Sequence, residues 1–279
     1  MVPELRPRSV GEVLDAAVLL YRARFGALMR SAAIIVVPLT VLILLIQLSA
    51  QPDNFTVGLT GEATPEYDSD TDALVALAAI VATLVISAIM TTLVSAVTTR
   101  IVADAYVGQP DDGQSLRSVS RLALPLIGLT VVSTVGVFAG FAACVIPGIW
   151  LQVAWSVAIP VLVLERTRVF PALGRSFTLT KARFWLAFGV VWLSQLLISA
   201  LSFGLAAGLG WVIQASDSAT AEVIAQSVSS AVATTITLPF AAAALVALYF
   251  DLRIRTEAFD VQMMIADLDK RRAGDTMRA

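Results

Sequence analysis

Six stretches of this chain contain no Asp, Glu, Lys or Arg: Ser31 to Ala50, Ala73 to Thr99, Leu122 to Ala143, Gly148 to Leu164, Phe184 to Ile213 and Val223 to Phe250. About 20 apolar residues rising 1.5 Å each cover the ~30 Å of a hydrocarbon core. One charge at a helix centre costs about 2.5–3.5 kcal/mol on insertion scales, so uninterrupted apolarity over such lengths predicts membrane-spanning helices. Only Pro147-Gly148 interrupts the run from Leu122 to Leu164, which would be about twice too long as one helix. Basic residues flank both ends of that run (Arg121, then Arg166 and Arg168), so the chain must cross twice, through a tight hairpin near Cys144 to Gly148. The pattern predicts six spans.

Between the spans, charges sort by sign. Arg6, Arg8, Arg22, Arg24 and Arg30 precede the first span, and Arg100, Arg117 and Arg121 separate the second from the third. Arg166, Arg168, Arg175, Lys181 and Arg183 separate the fourth from the fifth, and Arg253, Arg255, Lys270, Arg271, Arg272 and Arg278 follow the sixth. These are all 19 basic residues of the chain. The opposite loops carry Asp53, Glu62, Glu66, Asp68, Asp70 and Asp72, and then Asp217, with no basic residue among them. Because Lys and Arg are retained on the cytoplasmic side, both termini are expected there. The formal charge of −2 conceals this polarity. The expected partners are anionic headgroups at the cytoplasmic face and a protein in the membrane or cytoplasm. Topology already accounts for the basic residues, so nucleic acid is not an expected partner. Abundant Ala and Val, with Arg far outnumbering Lys, suggest a bacterial plasma membrane.

From Ser9 to Phe25 the apolar residues Val10, Val13, Leu14, Ala17, Val18, Tyr21 and Phe25 follow helical spacing, and Ser9 with Glu12 has the spacing of a capping box. The expectation is an amphipathic helix lying in the cytoplasmic interface. Arg22-Ala23-Arg24-Phe25 before the first span recurs as Lys181-Ala182-Arg183-Phe184 before the fifth, with Leu14 and Val18 matching Leu173 and Phe177. Gln114 to Arg121 reads as a shorter copy. The expected fold is all-α: a polytopic bundle of six transmembrane helices in three hairpins, with cytoplasmic interfacial amphipathic helices. Residues 1–260 form one membrane domain, and 261–279 a partly disordered tail after a brief helix near Met263.

Composition agrees: 58% of residues are hydrophobic and 14% charged, with a mean hydropathy of +0.84, well outside the range of a soluble domain. It also narrows the chemistry. The chain has no His, the commonest general base and metal ligand. A single cysteine, Cys144, reads as a small packing residue. No cleavable signal is expected, and no catalytic, cofactor or metal residues are predicted. The acidic loop reads as a flexible negative surface. Asp104, Glu165, Glu222 and Asp251 stand at span boundaries, and Arg100 with Asp104 has the spacing of a surface helix pair.

Polar groups within the spans have two readings. Thr83, Ser87, Thr91, Ser95 and Thr99 recur every four residues on the second span, and Ser227, Ser230, Thr234 and Thr237 every three or four on the sixth. They suggest a packing seam with interhelical hydrogen bonds, or alternatively a polar pathway. Gln47, Gln152 and Gln195 suggest hydrogen bonds between helices, or substrate contacts. Gly136 with Gly140, and Gly204 with Gly208, read as close helix packing first and oligomer contact second. Pro38, Pro125, Pro160 and Pro239 would kink their spans. Trp185 and Trp211 sit where interfacial anchors belong.

Four segments carry a family resemblance: Arg6-Pro7-Arg8-Ser9-Val10-Gly11-Glu12-Val13-Leu14-Asp15 with Tyr21-Arg22; Pro147-Gly148-Ile149-Trp150-Leu151; Val163-Leu164-Glu165 with Arg175-Ser176-Phe177 and Arg183-Phe184-Trp185; and Ala247-Leu248-Tyr249-Phe250-Asp251-Leu252-Arg253-Ile254-Arg255. Over roughly Arg6 to Asp260 the chain resembles the family labelled glycerophosphoryl diester phosphodiesterase membrane domain. In the enzymes behind that label, a similar membrane region accompanies a soluble barrel that uses His, Glu and Asp. With no His here, the resemblance implies a stand-alone membrane domain with no catalytic residues to transfer. The expected role is scaffolding or anchoring an envelope- or lipid-related complex, with Arg22, Arg24, Arg175 and Arg183 holding headgroup phosphates or an acidic partner. The alternative is a transporter or permease component for an amphipathic small molecule or lipid. A reporter active only in the cytoplasm should be active when fused after Ala279 and inactive when inserted between Gly58 and Glu62. The opposite result would reverse the orientation.

Overall fold

A computed structural model describes residues 9–49, 54–57, 63–66, 70–106, 119–213 and 219–257. Its helices, in chain order, are α1 (Val10–Ala23), α2 (Phe25–Ser49), α3 (Asp70–Tyr106), α4 (Ala123–Ala143), α5 (Val145–Ala154), α6 (Ala158–Glu165), α7 (Val169–Lys181), α8 (Phe184–Ile213) and α9 (Ala219–Glu257). Two short strands, β1 (Asn54–Val57) and β2 (Ala63–Glu66), pair antiparallel between α2 and α3, with Asn54 opposite Glu66 and Val57 opposite Ala63. The acidic loop thus contains a two-stranded ribbon that the sequence reading did not include. Gln114–Ser118 and the tail beyond Glu257, including Met263, lie outside the described residues.

The chain is an integral, multi-pass membrane protein, with six segments long and apolar enough to cross a bilayer: α2, α3, α4, α5 with α6 as one interrupted span, α8 and α9. α2 packs against α3, α4 against α5, and α8 against α9. At 37 and 39 residues, α3 and α9 are nearly twice as long as the ~30 Å core requires. Their last turns, Arg100–Tyr106 and Asp251–Glu257, continue past the apolar runs at the end of the bundle that carries the basic residues.

Ser9 caps α1 as its spacing suggested: the Glu12 amide donates to Ser9 Oγ at 3.4 Å, and the Ser9 amide donates to Glu12 Oε2 at 2.8 Å. The apolar face of α1 goes elsewhere than the sequence suggested. Val13 and Ala17 are fully buried, and the helix packs on α9 and α8 instead of resting that face in a lipid interface. Its N-terminal end comes close to α8, where Val10 lies against Gly189 and a Cβ on that glycine would meet the Val10 side chain at 3.1 Å. The Tyr21 hydroxyl donates to the Ile236 carbonyl of α9 at 3.0 Å, in the turn before Pro239. Burial pushes the Tyr21 phenol pKa up, keeping it a neutral donor.

The turn between α4 and α5 is tighter than expected. Cys144 alone makes it, in an extended conformation (φ −173°, ψ 156°), and is exposed, not a packing residue. Pro147 and Gly148 lie inside α5, the proline in the first turn, where its missing N–H removes no helical bond. Glycines allow the close return. A Cβ on Gly136 would lie 2.5 Å from the Trp155 ring, one on Gly140 would lie 3.1 Å from the Gly148 backbone, and one on Gly148 would lie 2.5 Å from the Phe141 ring. Gly204 faces open space, so the second glycine pair does not repeat this contact at that residue.

The fourth span is broken. Pro160 has no N–H to return to Ser156, and its ring crowds that carbonyl, so the helix interrupts at Trp155–Val157. The Ala158 amide turns to the Trp155 carbonyl (3.1 Å), leaving the Ala154 carbonyl without its usual donor. A hydroxyl of α7 replaces it: Ser176 Oγ donates to Ala154 at 2.8 Å, while Thr180 Oγ1, one turn on, lies 3.1 Å from the same carbonyl and shares its one proton with the nearer Ser176 carbonyl at 2.8 Å; both side chains are essentially inaccessible. Inside a bilayer no water could do so. We expect Ser176→Ala combined with Thr180→Val to strand this acceptor and lower stability by about 1–3 kcal/mol, read as thermal unfolding in detergent. Exposed Thr178→Val should stay within about 0.5 kcal/mol of the parent. Equal stability of all variants would mean that another group pairs with Ala154.

Candidate functional site

Buried side chains concentrate at the basic end. Leu28, Ala32 and Val36 are buried in the first half of α2, while Val41, Leu42 and Leu45 further along are exposed. In α3 the order is reversed, as its opposite direction requires: Leu74, Ile80 and Leu84 are exposed, Val94 to Ala103 almost wholly buried. The basic end is therefore a packed cap, formed by α1, α7 and the extended ends of α3 and α9.

A polar network runs through this cap. Glu165, the last residue of α6, accepts the Tyr249 hydroxyl at 2.9 Å and pairs with Arg175 Nε at 3.4 Å. Arg253, one turn beyond Tyr249 on α9, donates to the same hydroxyl at 3.2 Å and sits 5.7 Å from the tyrosine ring centre. The Tyr249 side chain is fully buried, and its neighbour Phe250 stacks on Tyr106 at 4.5 Å. Arg166, immediately after Glu165, takes a left-handed conformation (φ 52°) that turns the chain from α6 towards α7. Two more pairs flank the cap: Arg255 with Asp251 at 2.7 Å, whose carboxylate is 1% exposed, and Arg100 with Asp104 at 3.5 Å.

The four predicted headgroup arginines divide into two kinds. Arg22 and Arg183 are exposed, Arg22 in the last turn of α1 and Arg183 between α7 and α8. Arg24 is half-buried in the break between α1 and α2, and Arg175 is held by Glu165, so neither is a simple surface cation. Lys181 at the end of α7 lies 6.0 Å from the Phe177 ring centre.

The hydroxyl stripes make no hydrogen bond between helices among the described residues. Thr91 and Thr99 donate back to the Ser87 and Ser95 carbonyls of their own helix, Thr91 is exposed, and Thr83 and Ser87 are half-buried. On α9, Thr237 donates back to Ala233, Ser227 is buried, Thr234 half-buried and Ser230 exposed. The interhelical hydroxyl contact is made by residues outside both stripes, Thr92 and Thr130, 2.6 Å apart between α3 and α4. Gln152 and Gln195 are exposed, and neither makes a hydrogen bond between helices among the described residues.

Chemically, the cap is a set of carboxylates already engaged by Arg and Tyr. No group of three or more His, Cys, Asp or Glu that could hold a metal occurs among the described residues. The Asp251–Arg255 spacing is readable in sequence, whereas the Glu165–Tyr249 bond joins residues 84 apart and has no local signal. Comparison with known protein families, with curated proteins and with solved structures finds no match. Glu165→Ala should destabilise the protein by about 1–3 kcal/mol, because it removes the acceptor of a buried hydroxyl and one partner of the Arg175 guanidinium. In a double-mutant cycle, Glu165→Ala and Tyr249→Phe should couple by at least about 0.5 kcal/mol. Additive losses in thermal unfolding would dissolve the network into separate contacts.

Proposed function

We propose that this chain is a non-catalytic integral protein of a bacterial plasma membrane, akin to the glycerophosphoryl diester phosphodiesterase membrane domain, that anchors or scaffolds an envelope- or lipid-related assembly. The observation that carries this reading is the basic-end cap. It is densely packed and cross-linked by ion pairs, and it presents Arg22 and Arg183, with Arg166 and Arg168, on its surface. A rigid platform of guanidinium groups suits phosphate headgroups or an acidic protein surface, since Arg keeps its charge and offers several N–H donors. In this reading both termini are cytoplasmic, and the cap faces the anionic leaflet.

The second reading is a transporter or permease component for an amphipathic small molecule or lipid, favoured by the broken fourth span, since broken helices build substrate sites in many transporters. Against it, the Ala154 carbonyl at the break is taken by Ser176 and Thr180 and is not presented to a ligand. Affinity purification from native membrane in mild detergent, with mass spectrometry of proteins and lipids, separates the two. The platform reading expects a stoichiometric protein partner or enriched anionic lipid, lost in Arg22→Gln combined with Arg183→Gln while topology and yield persist. Retention of every companion by that variant would overturn it, and uptake of a solute into proteoliposomes would establish transport.

A further inference from the structure

The contacts of α7 set the depth of the hairpin formed by α4 and α5. Ser176 Oγ donates to the Ala154 carbonyl at 2.8 Å, and Phe177 meets the Trp150 ring with centroids 5.3 Å apart. Thr180 Oγ1 lies 3.1 Å from the Ala154 carbonyl, so the last residue of α5 is level with the end of α7. One turn separates Thr180 from α8: the Arg183 amide donates to the Thr180 carbonyl at 3.1 Å, and α8 starts at Phe184. Lys181, Arg183 and Trp185 are all exposed there. Such cations and an exposed indole belong at the headgroups, because charge within the hydrocarbon is costly. α8 therefore enters the bilayer at the depth of Ala154.

Measured from that level, α5 is too short to cross. Its 10 residues, Val145–Ala154, rise ~15 Å, half of a ~30 Å core. The turn at its far end is also unlike the connections at the acidic end. Those carry Asp53, Glu62, Glu66 and Asp68 between α2 and α3, and Asp217 between α8 and α9. The turn Phe141-Ala142-Ala143-Cys144-Val145-Ile146 has no charged, amide or hydroxyl side chain, and Val145 and Ile146 are 60% and 76% exposed. A loop tip of exposed aliphatic residues suits acyl chains, not water. Its backbone suits the same medium. Cys144 alone makes the turn, its N–H donating to the Gly140 carbonyl at 3.0 Å and its carbonyl accepting from the Gly148 amide at 3.4 Å. Pro147, in the next turn, has no N–H to leave unpaired.

We infer that α4 and α5 form a re-entrant hairpin, which enters from the basic side, turns back within the hydrocarbon at Cys144 and leaves on the side it entered. The chain then crosses the bilayer four times, through α2, α3, α8 and α9, two crossings fewer than the apolar runs suggest. Each of those helices has at least 25 residues, enough for a full crossing. Both termini still share one side. The exposed Phe138, Val145 and Ile146 meet the acyl chains of the basic-side leaflet alone, so the hairpin is a wedge in that leaflet, held at its base by α7. This inference does not rest on the platform reading.

Cys144 is the sole cysteine of the chain and is exposed, so the native protein carries the probe. In sealed vesicles of either orientation, a membrane-impermeant maleimide should leave Cys144 unmodified, and detergent should make it fully reactive. In a Cys144→Ser chain, Ala219→Cys at the start of α9 should react from one face only, and Thr256→Cys near its end from the other. A bimane attached to Cys144 in detergent before reconstitution reports depth. Lipids with a nitroxide at the end of the acyl chain should quench it most, and lipids with a headgroup nitroxide least. Modification of Cys144 from the Ala219 side, at the rate of that control, would overturn the inference, because the hairpin would cross. Modification from the Thr256 side, or strongest quenching from the headgroups, would overturn it by placing the turn outside the hydrocarbon. Quenching by neither lipid would do the same, since protein and not acyl chain would then cover the tip.

Discussion

The alanine-rich stretch of α9 is the contact on which the bundle depends. Ala242, Ala243, Ala244, Val246, Ala247 and Leu248 are almost wholly inaccessible, and α1, α2, α3 and α8 all pack against this helix. Helices in lipid gain little from burying apolar surface, so they associate through close contact, and methyl-sized side chains allow the nearest approach. At Tyr249 and Phe250 the stretch changes abruptly from small to large. That step marks where close helix packing gives way to an aromatic and polar cap, joined to α3 through Tyr106 and to α6 through Glu165.

A second constraint, that every backbone group in the hydrocarbon must be satisfied, explains why α7 is there. Breaking the fourth span at Pro160 frees the Ala154 carbonyl, and Ser176 and Thr180 answer it from one face of α7. The residue next to Ser176 is Arg175, which reaches Glu165 at the far end of α6. One short amphipathic helix therefore ties down both halves of the broken span, the first through a backbone carbonyl and the second through a side chain. The same amphipathic pattern in α1 serves a parallel purpose, with the Tyr21 hydroxyl on a carbonyl of α9 near Pro239.

The spans were legible because excluding charge over 20 residues is a strong signal, and the Ser9–Glu12 capping box and Arg100–Asp104 pair because they are local. Other features were not. Amphipathicity marks one face as apolar but not what covers it, and for α1 the cover is protein, not lipid. The four-residue stripe on α3 does not keep to one face, for a geometric reason. Each step of four advances a helix by about 40° beyond a full turn, so five such residues wind about 160° around it. Thr91 accordingly emerges on an exposed face while Ser95 and Thr99 are buried. The contact that does join α3 to α4 uses Thr92, one residue off the stripe. Nor could the Glu165–Tyr249 bond be read, because its partners lie 84 residues apart.

The uneven packing of the two ends bears on which motions this bundle can make. Opening the basic end would break the Glu165–Tyr249 and Glu165–Arg175 contacts, along with the hydroxyls on Ala154, within the best-packed part of the protein. Losing buried polar partners together is far less favourable than losing one, since each stranded group adds its own desolvation penalty. At the acidic end the exposed side chains of α2, α3, α4 and α8 can shift against lipid with little penalty, because one apolar contact replaces another. The platform reading proposed above needs this division, one end held rigid while the rest adapts to the bilayer.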